Sequence, residues 1–308
     1  MTIRDIVIVG AGPAGMTAAI YAVRANMSVL IVDRLAPGGQ MINTNEIENY
    51  AGVGKINGAE LSMKMFEHTQ ELGAEFDYKT ISKIRDRGET KILLCEEDDT
   101  PITARAVIIA TGTTPRILNV PGEDNFKGTA ISWCAVCDGA QYRDKDVVVI
   151  GGGNSAVEES IYLAGITNSL TIVTMFDLTA DPKVCDRLRA MPNVTIHAYQ
   201  EVLEFTGEDK LEGIRFRSTR EDATEQYLRC DGIFEYIGLQ PGTEVFADLN
   251  ILDEMGFILV DDEMRTAVKG IFGAGDAIRK NLRQVVTACS DGAIAANTAA
   301  RYVDSMKI

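Results

Sequence analysis

No stretch of the sequence holds the roughly 18 consecutive apolar residues that a bilayer-spanning helix needs, and the opening MTIRDIVIVG enters a strand pattern at once. Neither a membrane span nor a signal peptide is expected, and a cytoplasmic location follows. Positive charge is also scarce. The chain has 30 Lys and Arg against 45 Asp and Glu, a net charge of −15, which argues against a nucleic-acid partner, since phosphates call for a basic surface. Histidine is scarcer still, with only His68 and His197. Because there is also no second C-x-x-C, four zinc ligands are not available from close sequence neighbours, and no metal site is expected. Low-complexity tracts are missing as well. With 46% apolar and 24% charged residues, the composition is that of an ordinary globular chain, and 308 residues allow two domains with a core each.

What the sequence does contain is a repeat. A shift of 141 residues lays RDIVIVGAGPAGMTAAIYA (4 to 22) over KDVVVIGGGNSAVEESIYL (145 to 163). Gly10 falls on Gly151, Gly12 on Gly153 and Tyr21 on Tyr162, and the next strands, SVLIVD (28 to 33) and SLTIVT (169 to 174), superimpose too. Each copy reads as strand, glycine turn, helix, strand, the context that gives meaning to an otherwise weak G-x-G-x-x-G. Gly10 and Gly151 permit the tight turn. Gly12 and Gly153 let backbone N–H groups approach a pyrophosphate, and Gly15 and Ala156 keep the helix close to its strand. One such motif alone can be a structural turn; two with matched flanks predict an α/β chain with two Rossmann-like, three-layer nucleotide-binding domains. Asp33 closes the second strand of the first copy, where a carboxylate accepts ribose hydroxyls or simply sits in solvent. Its counterpart in the second copy is Thr174.

AVIIATG (106 to 112) and GIFGAGD (270 to 276) also end strand-like runs in glycine. Asp276 can reach a polyol or phosphate there, or cap the next helix. The stretch 282 to 303 is Ala-rich with helical period and is expected to pack on the first copy. Of six cysteines, Cys134 and Cys137 alone lie close, in SWCAVCDGA (132 to 140). A C-x-x-C turn can form a reactive disulfide and lowers one thiol's pKa, so the pair can carry two electrons; half a zinc site is the alternative. Asp138 follows directly and is the candidate acid/base, or else a helix cap. The other cysteines read as small buried hydrophobes.

Together these residues resemble the low-molecular-weight thioredoxin reductases, homodimeric FAD enzymes. GAGPAG (10 to 15), PGGQ (37 to 40), EIENYAG (46 to 52), ATG (110 to 112), CAVCDG (134 to 139), GGGNSA (151 to 156), GAGD (273 to 276) and RQVVTA (283 to 288) stand in the family's order. The resemblance implies a discontinuous FAD domain, 1 to 113 plus 242 to 308, with an NAD(P)-binding-like domain carrying the C-x-x-C at 114 to 241. It implies FAD along Gly10, Gly12, Pro13, Ala14, Gly15 and Asp33, with Gly39, Gln40 and Asn49 near the flavin. Ala110, Thr111, Gly112, Gly275 and Asp276 would also line the cofactor, Asp276 on the ribityl chain. Arg283, Gln284 and Val285 would stand at the pyrimidine edge, where positive charge favours the reduced ring. A nicotinamide dinucleotide would lie along Gly151, Gly153, Asn154, Ser155, Ala156 and Thr174. Cys137 would face the flavin, and Cys134 would attack the disulfide of a thioredoxin-like or glutaredoxin-like partner. The second domain is also similar to the flavoprotein subunit of alkyl hydroperoxide reductase, whose extra thioredoxin-like module is expected here as a separate protein.

One departure bears on the electron donor. NADPH-dependent members carry a basic HRRxxxR after the second strand, whereas positions 174 to 180 read TMFDLTA. A 2′-phosphate left unpaired costs several kcal/mol when desolvated. Thr174 can hydrogen-bond a 2′-hydroxyl, and Lys183, Arg187 and Arg189 are the remaining candidates to hold a phosphate. The expectation is NADH over NADPH, with weak affinity, and electron flow from donor to FAD to Cys134/Cys137 to the protein partner. A ferredoxin-dependent reductase, a small-molecule dithiol oxidase and a non-enzymatic redox or nucleotide sensor are the competing readings.

Overall fold

The structure, a computed structural model, describes residues 3–44, 47–97, 100–220 and 223–307. The chain divides into two compact units, Met1–Thr114 with Gln240–Ile308, and Pro115–Leu239, where the sequence placed the borders at 113 and 242.

In chain order the first unit begins with β1 (Ile3–Val9), α1 (Pro13–Arg24), β2 (Val29–Asp33), α2 (Gly58–Glu71), β3 (Glu75–Tyr78), β4 (Ile81–Asp86), β5 (Lys91–Cys95), β6 (Ile102–Ile109) and β7 (Thr113–Pro115). The second unit holds α3 (Glu123–Phe126), β8 (Ile131–Ser132), α4 (Ala135–Asp138), β9 (Asp146–Ile150), α5 (Asn154–Ala164), β10 (Ser169–Thr174), α6 (Pro182–Arg189) and β11 (Val194–Ala198). It continues with β12 (Gln200–Thr206), β13 (Gly213–Ser218), β14 (Glu225–Arg229) and β15 (Gly232–Glu235). The return to the first unit carries β16 (Leu239–Pro241), β17 (Ile271–Gly273) and α7 (Val285–Ser305).

The first unit is built on a seven-stranded sheet ordered β3-β2-β1-β6-β5-β4, with β17 also on β6. β1, β2, β3, β6 and β17 run parallel. Parallel strands covered on both faces need apolar side chains in both directions, and Ile6, Val7, Ile8 and Val9 are all buried. α7 lays Ala288, Gly292, Ala295, Ala296 and Ala299 on the core, a small-residue face that lets it cross α1 closely. A Cβ on Gly292 would stand 2.1 Å from the Ala14 carbonyl oxygen. The helix starts three residues later than the periodicity alone suggests, because Gln284 is its N-cap.

The second unit has a five-stranded parallel sheet, β11-β10-β9-β15-β8, and a three-stranded antiparallel sheet, β12-β13-β14. In both units the glycine turn leaves the C-terminal end of the first parallel strand, the usual place for a ligand in a doubly wound sheet.

Candidate active site

The first glycine turn runs from β1 into α1. Gly10 has φ +111°, and a Cβ there would lie 2.3 Å from the Ala110 carbonyl oxygen, so the turn can pass the end of β6 only as glycine. Gly15 is held equally close, its absent Cβ 1.8 Å from the Gly10 oxygen. Gly12 differs: nothing lies within 4 Å of its Cβ position. It caps α1 without any side-chain hydrogen bond, with Pro13 in the first turn. Free first-turn N–H groups beside open space make a place for a phosphate. Asp33 accepts the N–H groups of Ala11 at 2.7 Å and Leu35 at 2.9 Å, which fixes its carboxylate beside the turn.

Other segments converge on the same strand ends. Gly38 donates its N–H to the Ala11 oxygen at 2.8 Å, and the Cβ position of Gly39 is 3.3 Å from the Gly12 Cα, while Gln40 is exposed. Ala110 donates to the Val9 oxygen and Ala274 to the Ile109 oxygen, which sets the 110–112 and 273–276 turns side by side with the first. A Cβ on Gly275 would meet the Cβ of Ala14 at 2.7 Å. Asn49 and Gln284, 235 residues apart, are joined by a 2.9 Å hydrogen bond from the Asn49 amide, and Val285 packs on the cluster of Met16 and Met41. Three polar atoms are buried here with no partner: Thr111 Oγ1, Asp276 Oδ1 and Arg283 Nε. Burial pushes the Asp276 carboxyl up and the Arg283 guanidinium down. Unpaired groups of this kind cost about 1–3 kcal/mol each, a deficit that a polar ligand would offset. The residues present therefore fit FAD.

In the second unit Cys134 and Cys137 are joined by a disulfide. Cys134 caps α4 and donates its N–H to Ser132 Oγ at 3.1 Å, and Ser132 donates its hydroxyl to Asp138 at 2.5 Å. Asp138 stands at the N-cap of the 3₁₀ turn Gly139–Tyr142, but its side chain makes no capping hydrogen bond there. Burial raises its carboxyl above the ordinary range, opposed by the Ser132 hydrogen bond. Two neighbours escaped the sequence reading. Tyr236 accepts the Ala135 N–H at 2.7 Å on its hydroxyl, and that hydroxyl is hydrogen-bonded to Glu159 of α5, whose carboxyl burial likewise pushes up. The signal was faint, because Glu159 reads as one more helical acid and Tyr236 as a strand-end aromatic. Next to the pair in sequence, Trp133 donates its indole N–H to Glu235 at 3.1 Å. Glu235 is 2% exposed, and burial, with Glu123 nearby, lifts its carboxyl to about 8.

The second glycine turn repeats the first. Gly151 has φ +126° with its Cβ position 2.4 Å from the Tyr236 oxygen, and Gly153 again faces open space. α5 starts without a side-chain cap, Ala156 is fully buried, and Asn154 and Ser155 are exposed. The stretch 174–181 is tied to this turn: Thr179 donates its N–H to the Gly152 oxygen at 2.8 Å, and Asp181 donates its N–H to Asn154 Oδ1 at 3.2 Å. Thr174 is 6% exposed and faces inward, its Oγ1 2.7 Å from the Cβ position of Gly152. Asp177 is the outward polar group, accepting from Leu178 N–H at 2.7 Å and from Arg189 at 3.1 Å. Looking only at the strand-end position missed this carboxylate three residues on.

Residues 4–292 match the family model described as pyridine nucleotide-disulphide oxidoreductase. A thioredoxin reductase of Listeria monocytogenes is 43% identical over 99% of this chain and 95% of its own length. One from Bacillus subtilis is 43% identical over 99% and 96%. The solved structure of thioredoxin reductase from Streptococcus pyogenes superimposes with a TM-score of 0.92 at 43% identity, covering 98% of this chain and 99% of that one. The chain belongs to the pyridine nucleotide-disulphide oxidoreductase family. Within it, this is a member of the low-molecular-weight thioredoxin reductases and an FAD oxidoreductase that works with a pyridine nucleotide. It is an unusual member, since TMFDLTA stands where the basic motif is expected. Among the described residues no cluster of three or more His, Cys, Asp or Glu could hold a metal ion, and no helix is long and apolar enough to cross a membrane.

Proposed function

We propose that this chain passes electrons from NADH, by way of bound FAD, to the Cys134–Cys137 disulfide and on to a thioredoxin. The observation that carries this reading is the disulfide itself, held against Ser132 and the half-buried Asp138. FAD, when bound, supplies a two-electron carrier that accepts hydride from a nicotinamide and can reduce a disulfide. The first unit would hold it through the Gly12 opening, Asp33, Asn49, Asp276 and Arg283. The second would hold the dinucleotide through Gly153 and its free helix start.

Reduction of the pair needs two electrons and two protons and leaves two thiols. Cys134 as thiolate then attacks the partner's disulfide, forming a mixed disulfide and expelling one partner sulfur. Cys137 as thiolate attacks Cys134, remaking the internal disulfide and releasing the second partner thiol; the two electrons lost by the pair are the two gained by the partner. Asp138 donates a proton to the departing sulfur and takes one from the incoming thiol. NADH is favoured because Arg189, the one basic side chain among the described residues that forms an ion pair with the 174–181 stretch, is already paired with Asp177. The family resemblance supports a homodimer, with thioredoxin rather than a small dithiol as acceptor.

Anaerobic titration of the purified protein with NADH, NADPH and reduced ferredoxin, following flavin bleaching, tests the donor. Fastest bleaching by NADH at equal concentration is expected. Faster bleaching by NADPH refutes the preference, and bleaching by ferredoxin alone refutes the dinucleotide site.

A further inference from the structure

Resting on the reading of Cys134 as the attacking sulfur, we propose that Glu235 is a positioning residue for the redox pair, holding the residue before Cys134 through the Trp133 indole and shifting that hold when it ionises. β15 and β8 run parallel with Phe234 opposite Ser132, so one step further along the chain Glu235 stands beside Trp133. The indole N–H donates to Glu235 Oε2 at 3.1 Å. In the next residue the Cys134 N–H donates to Ser132 Oγ at 3.1 Å, so two consecutive residues are pinned at the disulfide.

Glu235 is 2% exposed, and its Oε1 is buried with no partner. Glu123 of α3 is equally buried but accepts the N–H groups of Leu118, Asn119 and Val120. Three donors serve Glu123 and one serves Glu235, so Glu235 is the acid of the two that favours its neutral form. Burial, with Glu123 beside it, lifts its carboxyl to about 8, against the pull of the Trp133 hydrogen bond and of Lys127. Lys127, just past α3, is the cation facing it, 4.0 Å from Glu123 and 2.6 Å from Asp124. A carboxylate formed at Glu235 is repelled by Glu123 and drawn toward Lys127. The indole moves with it, and Cys134 leaves the place that Ser132 sets.

Trp133 is the only tryptophan in the chain, so its emission reports the contact directly. In the FAD-loaded protein the emission should shift as pH is raised through about 8. It should not shift in Glu235→Gln, whose amide oxygen still accepts the indole N–H but does not titrate. A second readout is exchange with a small probe disulfide, dithiobis(nitrobenzoate), after the protein has been reduced with dithiothreitol and freed of it. Cys134 as thiolate attacks one probe sulfur and expels a thionitrobenzoate; Cys137 as thiolate then remakes the internal disulfide and expels the other, so the pair loses the two electrons that the probe gains. The phase absent in Cys134→Ser belongs to Cys134. Relative to Glu235→Gln, that phase in wild type should slow several-fold above about pH 8. Carried into a Trp133→Phe background, Glu235→Gln should no longer alter the profile. If the emission or the exchange profile of wild type matches that of Glu235→Gln, or the difference survives in Trp133→Phe, Glu235 does not act on the pair through the indole, and the reading of the disulfide stands. If Cys134→Ser loses no phase, that reading and this inference fall together.

Discussion

At the scale of single residues, carboxyls partly or wholly withdrawn from water shape the chemistry of the second unit. Asp138 owes its raised pKa to desolvation, which shifts its carboxyl toward the protonated form that a departing thiolate needs. Asp138→Asn is expected to slow reduction of the protein partner by about 10²-fold, the usual scale for a positioned acid/base, while donor-driven flavin bleaching stays intact; stopped-flow measurement of both steps separates them. Glu235 makes a different statement. Its carboxyl is lifted from 4.5 to about 8, so the folded chain keeps a proton that the unfolded chain releases. The associated stability is fully present below about 4.5 and lost as pH rises toward about 8. In that window the slope is at most about 1.4 kcal/mol per pH unit. Denaturant unfolding at pH 6, 7 and 8 should show wild type losing stability relative to Glu235→Gln, whose neutral amide does not titrate; parallel curves would show that Glu235 is ionised in the fold.

At the scale of elements, each glycine turn contains glycines of two kinds, and the structure separates them. Gly15 is closed in by backbone, its Cβ position 1.8 Å from the Gly10 oxygen, so Gly15→Ala must push α1 off β1. The expected result is a protein purified with little flavin, read from the ratio of flavin to protein absorbance. Gly153 is open, so Gly153→Val should fold and hold FAD normally yet weaken nicotinamide-driven bleaching, because the side chain occupies the approach to the first-turn N–H groups. If bleaching by NADH is unaffected, the second turn does not receive the dinucleotide. These turns were legible in the sequence because their cause is local, a tight bend with β-branched runs on either side. The Asn49–Gln284 contact was not legible as a bond, since no periodicity links residues so far apart; only the family resemblance set both near one ligand.

At the scale of the whole molecule, the repeat explains why the chain has two Rossmann-like units, and the return of residues 240–308 to the first unit explains why the Asp276 and Arg283 segments complete a cradle begun at Gly10. The purified chain should carry one non-covalent FAD per polypeptide, released on denaturation. Cys134→Ser should still be bleached by the donor but should no longer reduce thioredoxin. Retained thioredoxin turnover in that variant would remove the disulfide from the electron path.

The sequence by itself determined what depends on local geometry and composition: two βαβ units, the close cysteine pair, the acidic charge balance and the missing basic motif at 174–180. Eight short motifs in order were enough to point to the family. Tertiary structure decided which side chains of similar appearance differ in environment. Asp138, Glu159 and Glu235 are ordinary acids in the sequence, and only packing withdraws them from water and raises them; Thr174 was the obvious selector by position, yet strand burial turns it inward while the loop carries Asp177 out to Arg189. Desolvation and long-range pairing are properties of the folded surface, and no spacing along the chain encodes them.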